Sequence, residues 1–187
     1  MMKTFLYLYD TGEIARAVSC DEADIAAHDD PNLQRIEIDP AIRGILGHGK
    51  LLRRWFMLPP RHPESHQHAV VWQHPNGHTL HAKLDITMTA STADGRQVST
   101  DADGVLRVLA DDPPTGRLGD TVTISWDAHH PVALWLLPTH ERIHNIHGNT
   151  ATVRFAHPGF YRIEMRSHRC HSGTLRIMAV AQPPLQS

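Results

Sequence analysis

Residues 132–156 read VALWLLPTHERIHNIHGNTATVRFA, and the fold turns on whether this stretch is helical or extended. His140, Glu141 and His144 spell HExxH, a pattern whose zinc chemistry needs both histidines on one helical face with the glutamate beside them as general base. Pro138 and Gly148 bracket the motif and leave at most about two and a half helical turns between them. VALWLLP before it is strand-like, and NTATVRFA after it alternates with the period of a strand. Glu164 lies 20 residues beyond His144, the separation at which one class of zinc peptidase places its third ligand, yet FYRIEMR around it reads as a strand and not as that class's second helix. With 16 histidines in 187 residues, an accidental match is affordable. The stretch is read as strand, loop and strand. On this reading the chain is not an enzyme, and no catalytic, cofactor-binding or metal-ligating residue is assigned. The alternative is a zinc-dependent hydrolase using His140, Glu141 and His144, which requires a helix over 139–147.

Outward from this stretch the same pattern repeats. LDITMTA, VLRVLA, TVTISW, VALWLLP, TATVRFA, FYRIEMRSH and TLRIMAV are short runs separated by turn-forming segments such as STADG, DADG, GRLGD and HPG. Seven strands with a turn signal about every ten residues predict a β-sandwich. In HPGFYRIEM, Tyr161 stands at a strand start after a turn, the position of the tyrosine corner of immunoglobulin-like domains. Residues 84–181 are therefore expected to form an immunoglobulin-like β-sandwich, with 182–187 as a polar tail.

The first part of the chain has a different texture. KTFLYLY, DTGE and IARAVSC read as a hairpin with turn chemistry at Asp10 to Gly12. DEADIAAHDD suits one short helix with Asp21 as N-cap, and LQRIEID a third strand. The glycines of GILGHGKLLRRWFMLPP oppose a helix, so that segment is read as an extended crossing or linker. Residues 1–58 are taken as a small β-rich domain and 59–83 as a His-rich hairpin and linker. In the latter, Asn76-Gly77 predicts a two-residue turn placing Trp72 opposite His81 and Val70 opposite Lys83.

Composition limits the function classes. An apolar fraction of 41% with four tryptophans marks a folded chain. A formal charge of −2 gives no reason to expect nucleic acid or an anionic membrane. No segment approaches membrane-spanning length, and the apolar run near the N-terminus is too short for a signal-peptide core. Cys20 and Cys170 form no CxxC pair. His62, His66, His68, His74, His78 and His81 read as solvated side chains on an exposed hairpin, although a surface zinc or nickel site is conceivable. His129-His130 before Pro131 reads as turn surface. His168 and His171 flank Cys170, which strand alternation sends to the opposite face from His168. Asp29-Asp30 and Asp111-Asp112 read as turn acids, and neither a nucleophile elbow nor a phosphate loop occurs. Trp55, Phe56 and Trp72 are either interface anchors or core closers.

LYLYDTGEIARAV, STADG, DADGVLRV, GDTVTISW and NTATVRFAHPGFYRIEM together give a layout that resembles small tail-associated proteins of tailed bacteriophages and prophages. In these, a β-rich unit opening with a YDxxG turn precedes an immunoglobulin-like sandwich. The match covers about half the chain in short motifs, and the His-rich segment 62–81 has no counterpart. The resemblance implies a structural role in a virion tail, in the baseplate or tail-fibre attachment region. It implies synthesis in the bacterial host cytoplasm, several copies per assembly, and other tail proteins as partners. It carries over no catalytic residue, no cofactor and no metal. A receptor- or carbohydrate-binding module of the tail tip is a further alternative, favoured if exposed aromatics converge at one end of the sandwich.

Overall fold

A computed structural model of the chain describes residues 1–127, 130 and 132–184. These divide into two compact units, Met1–Leu84 and Asp85–Ser187. Both are built mainly of β-strands, and among the described residues no helix is long and apolar enough to cross a membrane.

In the first unit, β1 (Met2–Leu8) pairs antiparallel with β2 (Ile14–Asp21) and with β3 (Gln34–Ile38), giving the order β2-β1-β3. β1 is central, and its burial follows: Phe5, Leu6, Tyr7 and Leu8 are all buried. DEADIAAHDD forms the expected short helix, as a 3-10 helix that follows Asp21. Glu22–His28 is a 3-10 segment that buries none of its side chains, and Asp21 makes no side-chain capping hydrogen bond.

The segment expected to be an extended linker is corrected by the structure. Pro40–Leu46 is α1, started by the Asp39 carboxylate, which accepts from the Ala41 N–H at 2.8 Å, and by Pro40 in the first turn. Gly47 lies in the left-handed region (φ 71°) and ends the helix where it was read as preventing one. After a 3-10 turn at Gly49–Arg54 comes β4 (Trp55–Leu58). It pairs with β6 (Thr79–Ala82), which pairs with β5 (Val70–Gln73) in the order β4-β6-β5. Residues 59–83 thus lie within the first unit. Leu6, Leu8 and Ile36 from one sheet, Met57 and Leu80 from the other, and Ile42 and Leu46 of α1 share one core.

The β5–β6 register differs from the one expected. Trp72 faces Leu80 and Val70 faces His81, with an irregularity between them. The turn spans His74 to His78, closed by His74 N–H to His78 C=O at 2.8 Å. Pro75 has no N–H to give the ladder, so pairing cannot run up to Asn76-Gly77.

The second unit is an immunoglobulin-like sandwich, as expected. Its strands are β7 (Met88–Thr92), β8 (Gln97–Ser99), β9 (Leu106–Leu109), β10 (Val122–Trp126), β11 (Ala133–Leu137), β12 (Glu141–Ile143), β13 (Ile146–His147), β14 (Thr150–Val153), β15 (Gly159–Arg166) and β16 (Gly173–Val180). They form two sheets ordered β13-β14-β10-β7-β8 and β12-β11-β15-β16-β9. All pairs are antiparallel except β9 with β16, which is parallel. The order β7-β10-β14-β13 opposite β11-β15-β16 is that of strands ABED opposite CFG. All seven expected runs contain strands, β7 starting later than its run, and β8, β12 and β13 are additional. Inward positions alternate with outward ones, so Met88, Ile124, Leu134, Ile163, Leu175 and Ile177 fill the space between the sheets. The Tyr161 hydroxyl donates to the His157 carbonyl at 3.0 Å and its ring packs on Phe155, which makes the tyrosine corner.

Candidate interaction face

HERIH is extended. β11 turns back through Pro138 to His140, whose φ is 57°, and β12 begins at Glu141 opposite Leu136. His140, Glu141 and His144 are exposed, Ile143 alone turns inward, and Glu164 sits on β15 with its carboxylate on Arg166. The helical scaffold that the zinc reading requires is replaced by a β-turn and strand.

The histidine-rich segment departs in part from its reading as solvated surface: His66 is exposed, and His62 and His74 are half-buried. His68, His78 and His81 are buried. Leu80 and His81 are consecutive on β6, so they face opposite sides of the sheet. Leu80 enters the core, while His81 stacks on Phe56 with ring centroids 5.2 Å apart and His68 meets the same ring edge-on at 5.0 Å. The His81 ring bonds the Ala69 carbonyl through Nδ1 at 3.1 Å and the Thr79 hydroxyl through Nε2 at 2.8 Å. His78 uses Nδ1 on Asn76 Oδ1 at 2.8 Å. Burial first, and the neighbouring His74 second, hold its pKa below the ordinary histidine value. Phe56 is fully buried, and Trp55 and Trp72 pack against the first unit's core, so these aromatics close a core.

Among the described residues no three of His, Cys, Asp and Glu are grouped to hold a metal ion. Cys20 is a free thiol in the first unit, and Cys170 lies in the second. His171 lies 3.7 Å from Asp85, and Cys170 is buried. The Asp29 carboxylate binds Arg35 at 2.5 Å, Asp30 accepts from Asn32 N–H, Asp111 from Gly119 N–H and Asp112 from the Thr115 hydroxyl, so both acid pairs serve their turns. His129 and Pro131 of the expected His129-His130-Pro131 turn lie outside the described residues, as do residues 185–187 of the expected polar tail. Gln182, also expected in that tail, is held by Arg117 and by the Ala110 and Leu118 carbonyls.

What the sequence reading missed is the outer face of the β12-β11-β15-β16-β9 sheet. Inward positions carry Ile163, Met165, Leu175 and Ile177, so the alternate positions point away from the core. Across these strands Arg107 neighbours Met178, which faces Phe160; Arg176 faces Arg162; and Glu164 faces Trp135, which faces Arg142. Arg166 completes the set, its guanidinium 5.2 Å from the Trp135 ring centroid and paired with Glu164. Residues 85–187 contain nine arginines, no lysine and ten acids. Five of those arginines share this face with one of the acids.

The charge here is largely uncompensated. Arg162 and Arg176 stand directly opposite one another, an arrangement that repels. Arg176 has Asp103 at 3.8 Å, whereas the guanidinium groups of Arg107, Arg142 and Arg162 make no hydrogen bond or ion pair among the described residues. Phe160 is 46% exposed among them. At the β16 end, Arg162, Arg176 and His171 border an open cleft of about 590 Å³ together with Asp85 and Asp101. Arginine with exposed aromatic surface is the composition of interface centres, from which lysine is depleted.

No protein-family model, curated protein or solved structure matches this chain. Strand alternation in FYRIEMR and TLRIMAV was the sequence signal for this face, since it puts Arg162, Arg166 and Arg176 on one side.

Proposed function

We propose that the chain is a structural component of a bacteriophage tail, in the baseplate or tail-fibre attachment region, working through protein–protein contacts. The observation that carries the contact role is the arginine-rich outer sheet face with Phe160 exposed within it. Planar guanidinium forks suit the carboxylates of an acidic protein surface and lose less entropy per hydrogen bond formed than a flexible ammonium does. The placement in a tail rests on the layout of LYLYDTGEIARAV followed by an immunoglobulin-like sandwich, which resembles tail-associated proteins. The receptor- or carbohydrate-binding alternative has less support: among the described residues the exposed large aromatics are Tyr9 and Phe160, one in each unit, and they do not cluster on loops of the sandwich.

The test is to identify the chain by mass spectrometry in the tail fraction of purified particles from its bacterial host, with wild-type or Arg162→Glu/Arg176→Glu protein complementing a deletion. The wild type should be present in stoichiometric amounts, and the charge-reversed protein, folded by circular dichroism, should be depleted. Purified particles lacking the wild-type chain would overturn the proposal.

A further inference from the structure

The second sheet of the sandwich leaves half of one strand paired on a single side. β15 accompanies β16 from Gly173 to Ala179, whereas β9 accompanies it only from Ile177 to Val180. Main-chain groups alternate between the two edges of a strand, and the Val180 carbonyl accepts from the Ala110 N–H, on the β9 side, at 2.8 Å. The N–H and C=O of Thr174 therefore face that same side. No strand lies there, and among the described residues no turn or loop main chain bonds to them. The outer edge of β9 is closed by contrast. Leu109 N–H donates to the Asp120 carboxylate at 2.8 Å, Leu109 C=O accepts from Asp120 N–H, and Arg96 donates to the Arg107 carbonyl.

The cleft of about 590 Å³ lies along this open half of β16, with Gly173, Thr174 and Arg176 in its wall. Its charges are segregated by sheet. Arg162 and Arg176 belong to β15 and β16, whereas Asp85 precedes β7 and Asp101 follows β8 of the opposite sheet. Local partners leave these charges available. His171 stands 3.7 Å from Asp85 and Asp103 3.8 Å from Arg176, both longer than a hydrogen bond and both with an exposed carboxylate, so they contribute little. Asp101 accepts from the Ser99 hydroxyl alone among the described residues.

An open strand edge recruits an extended peptide, whose main chain supplies the affinity and whose alternate side chains supply the specificity. We infer that the open half of β16 takes up an extended segment of a neighbouring protein as an added strand in line with β9, and that successive side chains of this segment are acidic and basic. Side chains of an added strand alternate between the two faces of the sheet. Those on the outer face meet Arg176 and Arg162, and those on the inner face meet Asp85 and Asp101. The inference rests on the reading of the chain as an assembly component and places one of its contacts at a sheet edge.

The probe is an acetylated and amidated hexapeptide of alternating glutamate and lysine, titrated into the isotope-labelled full chain and followed by NMR. It should shift the amide signals of Gly173–Arg176 and slow hydrogen exchange at the Thr174 N–H. The same hexapeptide N-methylated at every residue keeps the charges and has no N–H to give the ladder, so it should bind about fivefold or more weakly. Thr174→Pro should weaken binding similarly, and a proline whose missing N–H faces an open edge leaves the sheet intact. Thr174→Val keeps the N–H and should bind as the wild type does. Asp85→Lys/Asp101→Lys should weaken binding by about threefold or more at low salt. No shift at Gly173–Arg176 up to millimolar peptide overturns the inference, as does undiminished binding of the N-methylated peptide, by Thr174→Pro or by the lysine pair. Incorporation into tail particles separates the two claims. A chain that binds no peptide but whose arginine reversal blocks incorporation keeps the tail role without strand addition, and a peptide-binding chain absent from particles does the opposite.

Discussion

Tyr161 ties the turn before β15 to the strand itself, because its hydroxyl reaches back four residues to the His157 carbonyl. Tyr161→Phe keeps the ring on Phe155 and removes only that bond, so it should cost about 1 kcal/mol, read as a lower urea midpoint at unchanged slope. This corner was legible because turn, tyrosine and alternating strand are contiguous in HPGFYRIEM. The histidines were not. Whether His81 meets water depends on what covers the second face of its sheet, and that cover is supplied by His68 and Phe56, 13 and 25 residues away. For HERIH the expectation is direct. Untagged protein dialysed against a mild chelator should hold no stoichiometric zinc by elemental analysis, and His140→Ala and Glu141→Ala should leave its metal content and thermal midpoint unchanged. Retained zinc near one per chain that disappears in His144→Ala would restore the hydrolase reading.

At the level of elements, the β1–β2 turn does more than reverse the chain. Gly12 accepts from the Met57 N–H at 2.8 Å through its carbonyl, Glu13 bridges to Phe56, and the Glu13 carboxylate binds Lys83 at 2.5 Å, joining the two three-stranded sheets of the first unit. Gly12 has φ 84°, and a Cβ there would stand 2.2 Å from the Met57 carbonyl oxygen. Gly12→Ala therefore combines left-handed backbone strain with a clash against main chain, and about 3 kcal/mol or more of stability should be lost. Glu13→Gln keeps the shape and removes the charge beside a largely buried ammonium, with an expected loss of about 2 kcal/mol. Urea unfolding of both variants checks the order. The turn residues were visible in DTGE, whereas their partners were not, since β4 lay in a segment whose glycines obscured it. Gly47 acts there as a helix stop, and the strand follows eight residues later. The sandwich strands were easier because each carries its own alternation and the turns between them are short, whereas β12 and β13 are too brief to show a period.

On the scale of the whole molecule, each unit has its own core: one is built from Leu6 to Leu80, the other from Met88 to Ala179. Among the described residues neither core cluster draws on the other unit, so the two should unfold as separate cooperative steps. His78 offers a way to label the first of them. Its folded pKa lies below the ordinary value of about 6.5, so above that pH the neutral ring costs nothing and its full contribution is present. As the pH falls from about 6.5 through the lowered folded value, the unfolded chain takes up the proton first and stability is lost. Calorimetry should then show two transitions. The stability of the wild type relative to His78→Gln should fall as the pH drops from about 8 toward about 5.5, and that change should be confined to one of them. Leu134→Ala, which empties a fully buried position between the sandwich sheets, should lower the other by about 3 kcal/mol at every pH. If both substitutions move a single transition together, the two cores are coupled and the chain folds as one cooperative body. If His78→Gln changes neither transition at low pH, the buried imidazole keeps its proton equilibrium on unfolding and the acid sensitivity of the first unit has another source.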